Sequence, residues 1–321
     1  MAQSTLLSSI RTEIRRRNYS YRTEKTYIQW VVRFIRFHEL KHPKELGKEE
    51  IVSYLNYLAE RRNVAASTQN QALCAIIFLY KHVLNIPVNS LDNLKRAKKP
   101  ERKPVVLSEN EAKRIIGLMS GVSKLATLLM YGSGLRISEV LRLRILDLDF
   151  EYKQITVRSG KGLKDRMTML PESLLTELER QKRAVKKLHD KDLKRGWGQT
   201  LLPKALNRKY PGIDREYAWQ YLFPSRYRRK DPRSGFLHRY HISDSFIQRG
   251  IKQAVRNSGI DKKVSAHTFR HSFATHLLGH GYDIRTVQEL LGHKRVETTM
   301  IYTHVLNRGG RGVMSPLDRM V

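Results

Sequence analysis

Two neighbouring stretches decide the reading: SAHTFRHSFATHLLGHG (Ser265–Gly281) and DIRTVQELLGHKRVETTMIYTHV (Asp283–Val305). In the first, His267 and Arg270 lie three apart and therefore share a helical face. A histidine beside an arginine suits proton handling next to a phosphate. The pairs His267/His271 and His276/His280 have the i, i+4 spacing of helical zinc sites. No HExxH glutamate accompanies them and no third ligand is evident, so zinc is the minor reading. Packing or hydrogen bonding is expected of His271, His276 and His280. In the second stretch, Ile284, Val287, Leu290 and Leu291 form one apolar face. Gly292 ends that helix, His293 sits in the turn, and Tyr302 follows nine residues later. Each of these residues is ordinary alone; their order is not.

Working outward, YGSGLRISEVLRL (Tyr131–Leu143) places a glycine turn between two helices, with Arg136 opening the second. A helix N-terminus favours anions, and an arginine fork there adds bidentate phosphate binding. Glu139 is expected to make a structural pair. QITVR (Gln154–Arg158) and RMTML (Arg166–Leu170) both alternate and flank the turn SGKG, which predicts an antiparallel strand pair. Upstream, Ser108 is expected to cap a helix in ENEAKRIIGLM. Glu177 to Gln220 reads as long, basic and irregular. Helical signals resume from Ile242 to Ser258 and run on nearly to the end.

The first hundred residues read as four short helices, a small bundle. One covers Leu6 to Arg17. A second runs from Arg22 to His38 with Tyr27, Val31, Phe34 and Ile35 on one stripe. A third, Glu49 to Arg61, carries Ile51, Tyr54, Leu55 and Leu58. Ser67 or Thr68 is expected to cap a fourth, through Ala72, Ile76, Leu79 and Tyr80. LKRAKKPERKPV (Leu94–Val105), with two prolines and hardly an apolar residue, marks the joint between domains. It reads equally as a path along a nucleic-acid backbone and as a solvated tether. The expected organisation is a helical domain over 1–96, a linker over 97–105 and a second domain over 106–321. The fold class is mainly α with a small antiparallel β-sheet.

Composition sets the partner. The chain has 321 residues, 61 Lys and Arg against 30 Asp and Glu, and a formal net charge of +31. Such an excess calls for an anionic partner, nucleic acid first, with an RNA binder of ribosomal type or a membrane-surface protein as rivals. Its 40% hydrophobic residues are enough for real cores. The longest apolar run, Ala72 to Tyr80, falls far short of a bilayer span, and no signal core precedes the early charges. The single cysteine, Cys74, excludes an internal disulfide framework, and it is expected to be a buried structural thiol. These features suggest a cytoplasmic, nucleoid-associated protein with no membrane partner.

HxxR, then LGH, then a tyrosine nine residues beyond that histidine, all downstream of GLRxSE, resembles the tyrosine recombinases (the phage integrase family) over essentially the whole chain. The resemblance implies a helical, SAM-like core-binding domain and a mixed α/β catalytic domain. It implies catalytic roles for Arg136, Lys161 in the SGKG turn, His267, Arg270, His293 and the nucleophile Tyr302. The implied reaction is transesterification at a DNA phosphodiester, with no cofactor, metal or ATP. Two arginine forks neutralise the phosphoryl oxygens, and Lys161 serves as acid. His267 is the expected base or hydrogen-bond partner of Tyr302, and His293 the donor to a phosphate oxygen. Four protomers on two DNA sites would form the working assembly.

About sixty residues separate Lys161 from LFPS (Leu222–Ser225), more than Xer-type proteins carry. Within them, an inserted segment at about 190–221 resembles the extra segment of integron integrases in its ALNRKYP and AWQYLFPS runs. That branch acts on cassette sites whose single strand folds into a hairpin with protruding bases, as well as on duplex sites. Aromatic stacking on such a base is worth about 1–3 kcal/mol. Trp219 is the first candidate platform. Pro232, Tyr240 and His241 are expected to form a pocket among Arg226, Arg228, Arg229 and Lys230. The alternative for Trp219 and Tyr221 is a place in a helix core. The alternative functions are a Xer- or phage-type integrase on duplex sites, a type IB topoisomerase, and an architectural DNA binder without chemistry.

Overall fold

The computed structural model describes residues 2–86, 97, 104–158, 165–202 and 204–303. The chain forms two compact units, Met1–Arg102 and Lys103–Val321. Of the expected linker, residues 98–103 lie outside the described residues. Among the described residues, no helix is long and apolar enough to cross a membrane.

The first unit holds α1 (Ala2–Arg16), α2 (Tyr21–Phe37), α3 (Lys48–Asn56) and α4 (Ala66–His82). Ser20 caps α2 by accepting the Thr23 N–H, as small hydroxyl residues do at helix starts. The apolar stripes meet in one core that includes Ile10, Ile14, Phe34, Tyr54, Ile76 and Leu79. The third helix ends sooner than its pattern suggested, because Tyr57–Arg61 widens into a π-turn. The fourth starts at Ala66 behind Ala65, with no side-chain cap. Ser67 therefore lies inside its first turn and does not cap it. Cys74 is half-buried rather than buried, because it faces the groove beside Tyr27, Asn70 and Gln71.

In the second unit, Ser108 and Glu111 form a capping box on α5 (Glu109–Gly117). Next come α6 (Gly121–Ser133) and α7 (Ile137–Arg142). Then β1 (Leu148–Asp149), β2 (Gln154–Val157) and β3 (Arg166–Met169) pair antiparallel in that order. The expected strand pair forms, with Gln154 opposite Met169 and Val157 opposite Arg166.

Glu177 to Gln220 is not irregular throughout. Its first part belongs to α8 (Leu175–Leu193), a helix of 19 residues. The buried face consists of Leu178, Val185, His189 and Asp192. Half of that stripe is polar, which hides the helical period from a hydrophobicity reading. Asp192 is tolerated there because Arg239 donates to both of its oxygens, at 2.6 and 2.7 Å. Next come α9 (Lys204–Lys209) and 3-10 turns at Ile213–Arg215 and Tyr217–Trp219. A second antiparallel pair follows, β4 (Pro224–Lys230) and β5 (Leu237–His241). The unit continues with α10 (Asp244–Ser258), α11 (Ala266–Gly279), α12 (Ile284–Leu291) and α13 (Glu297–Met300).

Gly134 ends α6 in the left-handed region, at φ 64°. A side chain is unfavourable at that angle. A Cβ there would also run into the Phe273 ring on α11. Gly134→Ala should therefore cost about 1–3 kcal/mol, as overpacked sites do. Thermal denaturation should show a fall of roughly 2–4 °C per kcal/mol; an unchanged midpoint would show that the turn is not under this constraint.

Candidate active site

The site begins at the turn after Gly134. Arg136 occupies the N-cap of α7, and its backbone N–H donates to Glu139 Oε2 at 2.8 Å. The Arg136 guanidinium reaches the other oxygen of the same carboxylate at 2.8 Å. Arg166, the first residue of β3, approaches Glu139 with both terminal nitrogens, at 2.9 and 2.8 Å. Arg270, from α11, lies 3.6 Å from Glu139 Oε2. One carboxylate thus gathers three guanidinium groups. The expected structural pair of Glu139 is a larger cluster. Arg166 was not anticipated, since it reads simply as the start of an alternating strand.

Arg270 is only 3% exposed. It donates to the backbone carbonyls of Gly134 and Leu291. Its Nη2 also lies 3.1 Å from His293 Nε2. Arginine has no acceptor, so His293 Nε2 must accept and Nδ1 must carry the hydrogen. Nδ1–H then donates to Thr299 Oγ1 at 2.9 Å. In this arrangement, then, His293 is not a donor toward a phosphate, contrary to expectation, because Arg270 already occupies that nitrogen.

Tyr302 follows α13 and is 2% exposed, against Phe273, Ala274, Val287 and Leu291. Its ring runs nearly parallel to that of His293, with centroids 6.3 Å apart. Its hydroxyl meets His271 Nδ1 at 3.0 Å. The expected partner was His267. That residue lies one turn earlier on α11 and is exposed, with its ring 6.3 Å from that of His271. His276 bonds Tyr131 and the Leu107 carbonyl, and His280 pairs with Glu109. Lys161 lies outside the described residues.

The electrostatics follow from burial beside a surplus of cations. Burial, the Arg270, Arg136 and Arg166 charges and His271 push His293 down to about 4. Burial, His267 and Arg270 do the same to His271. His267 is lowered by burial, Arg270 and Arg136. These imidazoles are therefore neutral at pH 7. Burial, then Arg136, lowers Arg270 to about 9, which leaves it charged. Burial raises the Tyr302 phenol, and Arg270 and Arg136 oppose it. Burial also opposes ionisation of Glu139, but the bonds and charge of Arg166 and the Arg136 backbone N–H outweigh it. They hold that carboxyl down at about 2.

The stretch 190–221, expected to be an insertion, is fastened by Arg144. Its guanidinium donates to the carbonyls of Leu201 and Trp219 and to Thr200 Oγ1. Trp219 is half-buried, with the Arg144 and Arg158 guanidinium carbons 5.8 and 5.5 Å from its ring centre. Tyr221 is buried, in contact with the Tyr240 and His241 rings. Trp219 and Tyr221 are not in a common helix; a 3-10 turn ends between them.

The expected pocket of Pro232 with Tyr240 and His241 does not form. Pro232 is exposed in the turn beyond Lys230, whereas His241 is paired with Pro224 at the far end of the strand pair. The Tyr240 and His241 rings do lie close, with centroids 3.9 Å apart and planes tilted by 34°. Arg226, Arg229 and Lys230 are exposed. Arg228 instead lies over Trp197 at 4.4 Å and 3.7 Å from Asp192.

Residues 105–308 match the phage integrase family, and residues 6–90 match the phage integrase N-terminal SAM-like domain. Two proteins named integrase/recombinase, from Escherichia coli and Pseudomonas aeruginosa, are each 48% identical over 315 residues. The match covers 98% of this chain and 94% of theirs. Tyrosine recombinase XerA of Pyrococcus furiosus is 36% identical over 217 residues, 67% of this chain and 62% of its own. Among solved structures, the fold resembles a lambda integrase dimer bound to a COC′ core site, with a TM-score of 0.62 at 16% identity. Coverage is 93% of this chain and 94% of that one. It also resembles the Tn1549 transposon integrase in complex with transposon right-end DNA, with a TM-score of 0.59 at 17% identity over 92% and 94%.

Glu139 is the counter-ion of this site, so its removal leaves buried positive charge unbalanced. Glu139→Gln should cost about 3–5 kcal/mol at neutral pH. Its folded pKa near 2 lies below the ordinary 4.5. Its contribution is thus complete above about pH 4.5 and lost as the pH falls toward 2. Urea denaturation across that range should be steeper in pH for the parent than for the variant; identical slopes would reject the role.

Proposed function

The chain belongs to the phage integrase family of tyrosine recombinases, and on that footing we propose that it cuts and rejoins DNA through a 3′-phosphotyrosine bond at Tyr302, on gene-cassette sites folded into single-strand hairpins. The observation that carries the chemistry is the convergence of Arg136, Arg270, His293 and Tyr302 around the Gly134 turn. Three guanidinium groups meet one carboxylate there, and the surplus positive charge suits a phosphodiester. Tyr302 Oη attacks phosphorus and the 5′-oxygen leaves. Arg136 and Arg270 oppose the charge that grows on the non-bridging oxygens. Lys161 is assigned the proton for the leaving oxygen. His267, exposed on the same helix, is assigned a hydrogen bond to the phosphate.

The hairpin preference rests on Trp219. Its ring is presented by an inserted segment that Arg144 fastens, outside the cluster that does the chemistry. An unpaired base offers the π-face such a ring can stack on. Arg226, Arg229 and Lys230 are assigned to the DNA backbone, and Pro232 and His241 to separate contacts along it. The working assembly is four protomers on two sites. The likeness to XerA favours a second reading, action on duplex sites, and the substrate comparison below separates the two.

Tyr302→Phe should abolish covalent attachment to a cassette-site oligonucleotide while leaving affinity nearly unchanged. A covalent band surviving on a denaturing gel would sink the assignment. Trp219→Ala should weaken binding to the folded bottom strand by roughly 5- to 150-fold, from about 1–3 kcal/mol per stacked base, and binding to the same site as duplex far less. Equal losses on both would assign Trp219 to packing.

A further inference from the structure

We propose that His271, and not His267, accepts the phenolic proton of Tyr302 during strand cleavage. The inference rests on the reading of Tyr302 as nucleophile.

Geometry comes first in recognising a base. His271 Nδ1 lies 3.0 Å from Tyr302 Oη. His267 stands one turn earlier on the same face of α11, an exposed residue whose ring is only partly desolvated and lies 6.3 Å from that of His271. His293 is alongside the Tyr302 ring, yet both of its nitrogens are committed. Nε2 accepts from Arg270, and Nδ1–H donates to Thr299. It has no lone pair left to offer.

The same helix holds a tyrosine–Nδ1 contact whose polarity is settled. His276 Nε2 faces the Leu107 carbonyl at 2.8 Å, and Nδ1 faces Tyr131 Oη at 2.9 Å. A carbonyl only accepts, so Nε2 carries the hydrogen and the Tyr131 hydroxyl donates to Nδ1. His271 meets Tyr302 through the same ring atom. Burial, His267 and Arg270 keep His271 unprotonated at neutral pH, and in the tautomer that carries its hydrogen on Nε2 the Nδ1 lone pair faces the Tyr302 hydroxyl.

The step balances. Tyr302 Oη bonds to phosphorus as its proton passes to His271 Nδ1. The bond from phosphorus to the 5′-oxygen breaks, and that oxygen takes a proton from an ammonium group, the role assigned to Lys161. In rejoining, the 5′-hydroxyl attacks phosphorus and returns its proton to the amine assigned to Lys161, and departing Oη recovers its proton from His271. A weakly basic imidazole suffices because the phenolic oxygen becomes strongly acidic as its bond to phosphorus forms.

The test is the single-turnover rate of covalent complex formation on a nicked suicide oligonucleotide, offered in hairpin and in duplex form. His271→Asn keeps an amide near the Nδ1 position, so it can hold the hydroxyl but cannot take its proton. His271→Asn and His271→Ala should both slow cleavage by about 10²- to 10⁴-fold, with DNA affinity and thermal midpoint near those of the parent. Replacing Tyr302 by difluorotyrosine, a more acidic phenol, should recover at least about tenfold of the His271→Asn loss and change the parent less. Cleavage by His271→Asn within about threefold of the parent would reduce His271 to a positioning role and overturn the proposal. So would faster cleavage by His271→Ala, the mark of a restraining contact, or a failure of difluorotyrosine to recover rate. A covalent complex formed by Tyr302→Phe would instead overturn the nucleophile assignment itself.

Discussion

Everything at this site depends on one carboxylate. Three guanidinium groups cannot share a partly buried space unless something opposes their mutual repulsion. Glu139 does so, and its position is fixed twice over. Its own helix start supplies the Arg136 N–H, and β3 supplies the two-pronged Arg166. Arg270 needs more, and finds it in the carbonyls of Gly134 and Leu291. Those carbonyls belong to helix ends, where backbone acceptors have no partner within the helix. The glycine turns after α6 and after α12 thus serve as parts of an arginine socket. One carboxylate among three cations leaves positive charge to spare, which is the condition a phosphate requires.

Much of this was legible in the sequence, for identifiable reasons. Gly134, Arg136, His293 and Tyr302 sit at helix ends or just past them, where glycine and spacing announce the geometry. The strand pair around residues 159–164 was legible because both strands alternate. Other features were hidden because they join residues remote in sequence. Arg166 and Glu139 are 27 positions apart, and nothing in either neighbourhood names the other. His271 and Tyr302 are 31 apart, and the histidine nearest in pattern, His267, drew the assignment instead.

The helix and the strand pair on either side of residues 194–221 illustrate a different kind of blindness. Hydrophobic periodicity finds a helix only when its buried stripe is apolar. In α8 the stripe passes through His189 and Asp192. The helix is therefore clear in three dimensions and faint in one. The strand pair β4–β5 was likewise obscured, since arginines crowd it and a bulge breaks its register between Pro224 and Arg228. The expected grouping of Pro232 with His241 failed for the same reason. Once the segment is extended, residues nine apart in sequence are separated by a strand's length.

The Asp192–Arg239 pair bears on whether residues 190–221 can be removed. Arg239 belongs to β5, which lies outside the insertion, yet its counter-ion is supplied from within it. Arg144 likewise precedes the insertion and finds its carbonyl acceptors there. A deletion that trimmed 190–221 back to a short loop would take away the carboxylate of Arg239, leaving it the Ser225 and Arg226 carbonyls, and the Thr200, Leu201 and Trp219 acceptors of Arg144. The insertion is therefore not a detachable module. A transplant of residues 190–221 into another scaffold must carry Arg144 and Arg239 along.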